Sequence, residues 1–127
     1  MKTRTLQQAI LLCLLAIIPL LVQNCTYDEL PEPEIEIPDT VSFDRDIIPI
    51  FETSCNSSTC HSTGGVPPDL SPDNAWISLT FFGYVDTDVP ENSTLYRAID
   101  GGSMERFTTP EDRALILKWI EQGALDN

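Results

Sequence analysis

The chain has 127 residues, with 7 Lys or Arg against 20 Asp or Glu and a single His, for a formal charge of −13. So acidic a surface cannot neutralise a row of phosphates, which excludes a nucleic-acid binder. The length holds one small domain with tails rather than two cores of ordinary size. Lys2 and Arg4 both fall in the first 24 residues, which contain no acid, so residues 25–127 keep 5 basic and 20 acidic side chains, net −15. That balance disfavours an anionic membrane surface or an acidic substrate and fits a basic partner.

Met1-Lys-Thr-Arg4 is a short basic start, and Ala9 to Val22 is an apolar run broken only by Pro19. This is the layout of an export signal, with an apolar stretch shorter than a comfortable membrane span. The run stops at Gln23-Asn24-Cys25. A cysteine at this place resembles the lipid-modified cysteine of bacterial lipoproteins. The resemblance implies a signal peptide over residues 1–24, acyl chains on Cys25 and a lipid anchor holding the protein in the cell envelope, periplasmic or on the outer-membrane surface. An uncleaved anchor and ordinary secretion with Cys25 free stay open, and all three export the domain. Residues 25–41 are acidic and Pro-rich, so they are expected to be a disordered tether. Asp28-Glu29 within it resembles the surface-export signal of Bacteroidetes lipoproteins, and a solvated acidic linker is the plainer reading.

Ser42 to Asn127 forms the expected folded part of 86 residues, small enough that apolar burial alone leaves it marginal. Its clearest helix is the last: Thr109 as N-cap, Pro110 at the first position, Glu111 and Asp112 in the first turn, an apolar face of Leu115, Ile116, Trp119 and Ile120, and Gly123 as the stop. A first helix is predicted from Asp46 to Thr53, with Asp46 as cap and Pro49 in the first turn. Shorter helices are predicted at Pro72–Leu79 and Pro90–Ile99, separated by Gly- and Pro-punctuated loops. No period-2 series appears, so the fold class is all-α with loop-rich connections. Trp76, Phe81, Phe82 and Tyr84 are expected in the core or lining a pocket.

Of the four cysteines, Cys13 lies inside the apolar run and Cys25 at its end, leaving Cys55-Asn-Ser-Ser-Thr-Cys60 with the chain's only histidine, His61, directly after. Packing requires no such cluster, so a site is implied. Structural zinc wants four protein ligands and finds three. A thiol redox pair wants two intervening residues in a strand–helix setting. A disulfide stapling an exported domain is the bland account, and it explains neither His61 nor Met104. Covalent haem uses two thiols and an adjacent axial His.

These residues resemble a small class I cytochrome c domain, the similarity covering the whole of residues 42–127. Phe51 stands four residues before Cys55, Val66-Pro67-Pro68 follows His61, and Gly101-Gly102-Ser103-Met104 precedes the last helix. The family motif is Cys-x-x-Cys-His, and the spacing here is wider, with four residues between the cysteines. The resemblance implies one haem c attached through Cys55 and Cys60, with iron held by His61 on the proximal side and Met104 on the distal side. It further implies that Phe51 and Trp119 meet where the first and last helices cross, and that the Val66-Pro67-Pro68 loop orients the imidazole through a carbonyl. Arg97 and Arg106 are expected to pair either with haem propionates or with the many acids. The expected function is a membrane-tethered mono-haem cytochrome that transfers single electrons to a redox partner with a basic docking surface, and it is not an enzyme. The alternative is a non-redox envelope lipoprotein module, stapled by a Cys55–Cys60 disulfide, that binds another envelope protein or a glycan.

Overall fold

The protein's structure, a computed structural model, describes residues 3, 4, 7, 8 and 35–127, which fall in two units, Met1–Glu34 and Ile35–Asn127. In the first unit Thr3, Arg4, Gln7 and Gln8 are helical and exposed. Apart from these four, residues 1–24, where an export signal is expected, lie outside the described residues, as do Cys25 and the expected tether as far as Glu34. Among the described residues no helix is long and apolar enough to cross a membrane.

Every element described in the second unit is helical, so this unit is all-α. Ser42 opens it with a reciprocal cap: its Oγ accepts the Arg45 N–H at 3.3 Å, while the Asp46 carboxylate accepts the Ser42 N–H at 2.8 Å. A π-helical turn, Phe43–Ile47, then runs into helix α1, Ile48–Ser54. Asp46 therefore closes the cap rather than being it, and the helical path begins three residues earlier than its sequence expectation. The wide turn has a packing consequence, because both Phe43 and Ile47 end up buried. Pro49 sits in the first turn of α1, where its missing N–H costs no bond.

Helix α2, Ala75–Phe81, starts later than its predicted Pro72 because the Ser71 carbonyl accepts the N–H groups of Asn74 and Ala75 (3.0 and 2.8 Å), closing a turn first. The predicted Pro90–Ile99 helix is divided into a 3₁₀ turn, Pro90–Asn92, and helix α3, Thr94–Ile99. Ser93 at the break is extended and fully buried, with its Oγ accepting the Asp86 N–H at 2.9 Å. A second 3₁₀ turn, Glu105–Phe107, precedes helix α4, Pro110–Glu121. Thr109 caps α4 as its residue types require: its Oγ1 accepts the Asp112 N–H at 3.1 Å and Asp112 Oδ2 accepts the Thr109 N–H at 2.8 Å.

α4 packs on the π-helical turn and on α3, with Trp119 fully buried at the centre. The indole meets Phe43 at a centroid distance of 4.9 Å, and Phe43 in turn meets Phe51 edge-on at 6.4 Å. The expected Phe51–Trp119 meeting is thus relayed through Phe43, which the π turn carries inward between them. Hydrogen bonds between the ends of the unit seal this contact. Phe43 N–H donates to Asn127 Oδ1 at 2.8 Å and Asp44 N–H to the Asn127 carbonyl at 3.0 Å, while within the C-terminal end Trp119 Nε1–H donates to the Leu125 carbonyl at 2.8 Å. The last residues assigned to the tether belong to this assembly. Val41 is buried, Ile37 packs on the core, and Gln122 accepts the Val41 N–H and donates to the Asp39 carbonyl. The packed unit therefore starts ahead of Ser42, because two aliphatic side chains in an otherwise acidic segment find the flank of α4.

Phe81 and Phe82 lie outside the core, 78 % and 69 % exposed, because α2 turns Ala75, Ser78 and Leu79 inward. Trp76 packs against the core and donates from Nε1 to the Ala124 carbonyl at 2.8 Å. Phe43→Ala is expected to lower unfolding free energy by about 3–5 kcal/mol, whereas Phe81→Ala changes it by less than about 0.5 kcal/mol. Urea denaturation of the two variants checks the contrast.

Candidate functional site

A cavity of about 440 Å³, within the usual range for a ligand site, opens between the end of α1, the chain after it, α3 and the loop leading to α4. Cys55, Cys60, His61 and Met104 all line it. Its walls are largely apolar, from Phe51, Leu70, Leu95, Ile99 and Ile116 among others. Leu95 and Ile99 stand one helical turn apart on α3, a spacing visible in the sequence, and Tyr84 lines the cavity as expected, whereas Thr94 and Ala98 reach it with no local signal to announce them.

The wide cysteine spacing is absorbed by backbone hydrogen bonds. Cys55 is the C-cap of α1, and Phe51 O accepts both the Cys55 and the Asn56 N–H (2.9 and 2.7 Å). Ser57 O then accepts the Cys60 N–H at 2.9 Å, and Cys55 O accepts the His61 N–H at 3.1 Å. The four-residue insert becomes a bulged turn whose far end is tied back to its beginning. Gly65 allows the next turn, since a Cβ there would run into the Cys60 carbonyl.

His61 Nδ1 lies 2.9 Å from the Val66 carbonyl oxygen and 3.1 Å from that of Pro68. A carbonyl only accepts, so Nδ1 carries the proton and the neutral ring leaves Nε2 as its lone-pair nitrogen, the form in which imidazole ligates a metal. Both cysteines are unbonded thiols, Cys60 exposed and Cys55 half-buried. Burial, helped by the charges of Asp112 and Cys60, pushes the Cys55 thiol up to about 11. A thiol-exchange centre needs the opposite shift. Among the described residues no three His, Cys, Asp or Glu side chains gather to hold a metal ion.

Met104 is half-buried, packs against the core, and is held by its N–H donating to the Ala98 carbonyl at 2.8 Å. Two glycines bring it there. Gly101 takes φ +74°, and a Cβ on Gly102 would collide with the Arg97 and Ala98 carbonyls. Arg106 also lines the cavity, with its guanidinium 4.7 Å from the Phe107 ring centroid. Among the described residues neither Arg106 nor Arg97 forms a salt bridge, and Arg97 is away from the cavity. No family model, no curated protein and no solved structure matches the chain.

With its thiols free, Cys60 should be alkylated by iodoacetamide well before Cys55 at pH 8, where only about one Cys55 in a thousand is thiolate. Because its pKa is raised, Cys55 reactivity should climb as pH rises through 9 to 11. Mass spectrometry of Cys60→Ser across that range checks it, and fast reaction of Cys55 at pH 7 would contradict the burial.

Proposed function

We propose that this protein is a lipid-anchored envelope cytochrome whose class I cytochrome c-like domain carries one covalent haem c and transfers single electrons. One observation carries the reading: two thiols, an imidazole and a thioether line a single apolar cavity, with the imidazole already in its ligating tautomer. Haem, when bound, supplies an iron that gains or loses one electron with no bond made or broken.

The chain's own residues divide the remaining work. The Cys55 and Cys60 thiols would hold the haem through thioethers, each formed by adding S–H across a vinyl group with no oxidant or leaving group needed. His61 Nε2 would hold the iron on one side, and the Val66 and Pro68 carbonyls strengthen it as a donor by accepting Nδ1–H. Met104 would hold it on the other, a soft thioether that favours the reduced state relative to a second His. Phe51, Leu95 and Ile116 exclude water from the ligand bonds. Arg106 at the cavity supplies a cation for a propionate, and this favours Arg106 over Arg97 for the role. Were His61 and Met104 both to hold the iron, no ligand position would be left for a substrate, which supports reading the domain as an electron carrier rather than an enzyme. The net charge of −15 beyond residue 24 steers it to a basic redox partner, and acyl chains on Cys25 hold it at the membrane, periplasmic or at the outer surface.

Made in a host with haem-attachment machinery, the protein should be red, with sharp visible bands when reduced and a mass increase of one haem that survives acid–acetone extraction. Cys55→Ser and Cys60→Ser should each lose attachment or keep a single thioether. A colourless chain, or full extraction-resistant haem in both variants, overturns the proposal. Met104→Ala should lower the reduction potential and let the reduced protein bind carbon monoxide. A wild-type protein that already binds it freely would remove Met104 from the iron.

A further inference from the structure

Ser78 and Ser93 are the buried polar side chains among the described residues. Ser93 is accounted for by its bonds to the Asp86 backbone. Ser78 stands on the inward face of α2 beside Ala75 and Leu79, where an apolar residue would pack without cost. Its Oγ instead accepts the Asp69 N–H at 2.9 Å. That N–H belongs to the planar peptide unit whose other end is the Pro68 carbonyl, and the Pro68 carbonyl accepts His61 Nδ1–H at 3.1 Å. A rigid plane held at one edge by a buried hydroxyl presents its oxygen to the imidazole at the other.

The Asp69 side chain fixes the same peptide from a second direction. Its Oδ1 accepts the Ser71 N–H at 3.0 Å and the Ser71 hydroxyl at 2.6 Å, and its Oδ2 accepts Asn74 Nδ2–H at 3.1 Å. Asn74 Nδ2 also reaches Thr63 Oγ1 at 3.3 Å, on the His61 side of the loop. The carboxylate therefore clasps both ends of residues 63–74 around the two carbonyls that hold the ring. These bonds hold the Asp69 carboxyl below its ordinary range, Ser71 contributing most.

We propose that Ser78, assisted by the Asp69 clasp, is the positioning residue that sets the orientation and tautomer of His61. Helix α2 thereby acts on an imidazole it does not touch, through one peptide unit. The inference rests on the proposed function only for the metal-binding end of the ring, since the Nδ1 side is defined by the chain alone.

The test is the lifetime of His61 Nδ1–H against solvent exchange, read by ¹⁵N-edited NMR on the full chain as isolated, with or without haem. Ser78→Ala should speed exchange roughly tenfold, on the order of one hydrogen bond, because the unheld Pro68 carbonyl leaves Nδ1–H to the Val66 carbonyl alone. Ser78→Thr, which keeps the hydroxyl, should return it to within about twofold of the original. Ser78→Cys, close in size and a poor acceptor, serves if the alanine variant does not fold, and should behave as alanine does. In haem-bearing protein the alanine or cysteine variant should also raise the reduction potential, because a less polarised imidazole donates less to oxidised iron. Unchanged Nδ1–H exchange in a folded Ser78→Ala or Ser78→Cys variant overturns the inference. A chain that takes up no haem yet shows faster exchange in these variants overturns the proposed function and leaves this inference standing.

Discussion

The contact between Phe43 and Trp119 is the one on which the rest of the unit depends. Both side chains are fully buried and their rings lie 4.9 Å apart, joining the start of the packed unit to its last helix. Burying two large aromatic side chains supplies several kcal/mol in a unit too small to spread that load widely. The Asn127 and Gln122 hydrogen bonds then close the backbone around the rings so that few polar groups are left without partners. Because α1 grows directly from the π turn that bears Phe43, its C-cap Cys55 is carried to the same cavity that Ile116 of α4 lines. A loss of the aromatic contact would thus reach the cavity through the backbone.

Polar chemistry in the unit is concentrated where the chain has no regular hydrogen-bond ladder. The segment from Cys55 to Asn74 forms no regular helix, and its amides donate mostly to nearby backbone carbonyls, among them those of Phe51, Cys55, Ser57, Cys60, His61 and Ser71, with the Ser78 hydroxyl taking the Asp69 N–H. Each bond contributes little in net terms, but an amide left buried without a partner costs more than a bond gains. The turns therefore stitch one another through the backbone, and the Ser78 hydroxyl and Asp69 carboxylate take the Asp69 and Ser71 amides.

Charge works at a longer range and on another task. The acids outnumber the bases by 15 after residue 24, yet few of them enter the core, and Arg106 stands at the apolar cavity without a carboxylate among the described residues. A net charge of this size repels like-charged surfaces and attracts basic ones over about a Debye length, close to 8 Å at physiological salt. Arg106 on Phe107 stays available for an anionic group entering the cavity.

What could be read in the sequence was what neighbours within a few residues decide. Thr109 with Asp112 caps α4, the 3.6-residue spacing of Ile116, Trp119 and Ile120 defines its buried face, Gly101-Gly102 turns the loop to Met104, and Cys55, Cys60 and His61 fall within seven residues of chain. Tertiary structure decided everything that depends on residues far apart in the chain. It set Phe43 rather than Phe51 against Trp119, drew Ile37 and Val41 out of an acidic tether and into the core, and turned Phe81 and Phe82 to solvent. It also gave Ser78 its role, since a serine seventeen residues from a histidine carries no local pattern. Capping and periodicity are encoded at separations of three to five residues. Which apolar surface covers which, and which hydroxyl meets which amide, emerges only once the helices have closed on one another.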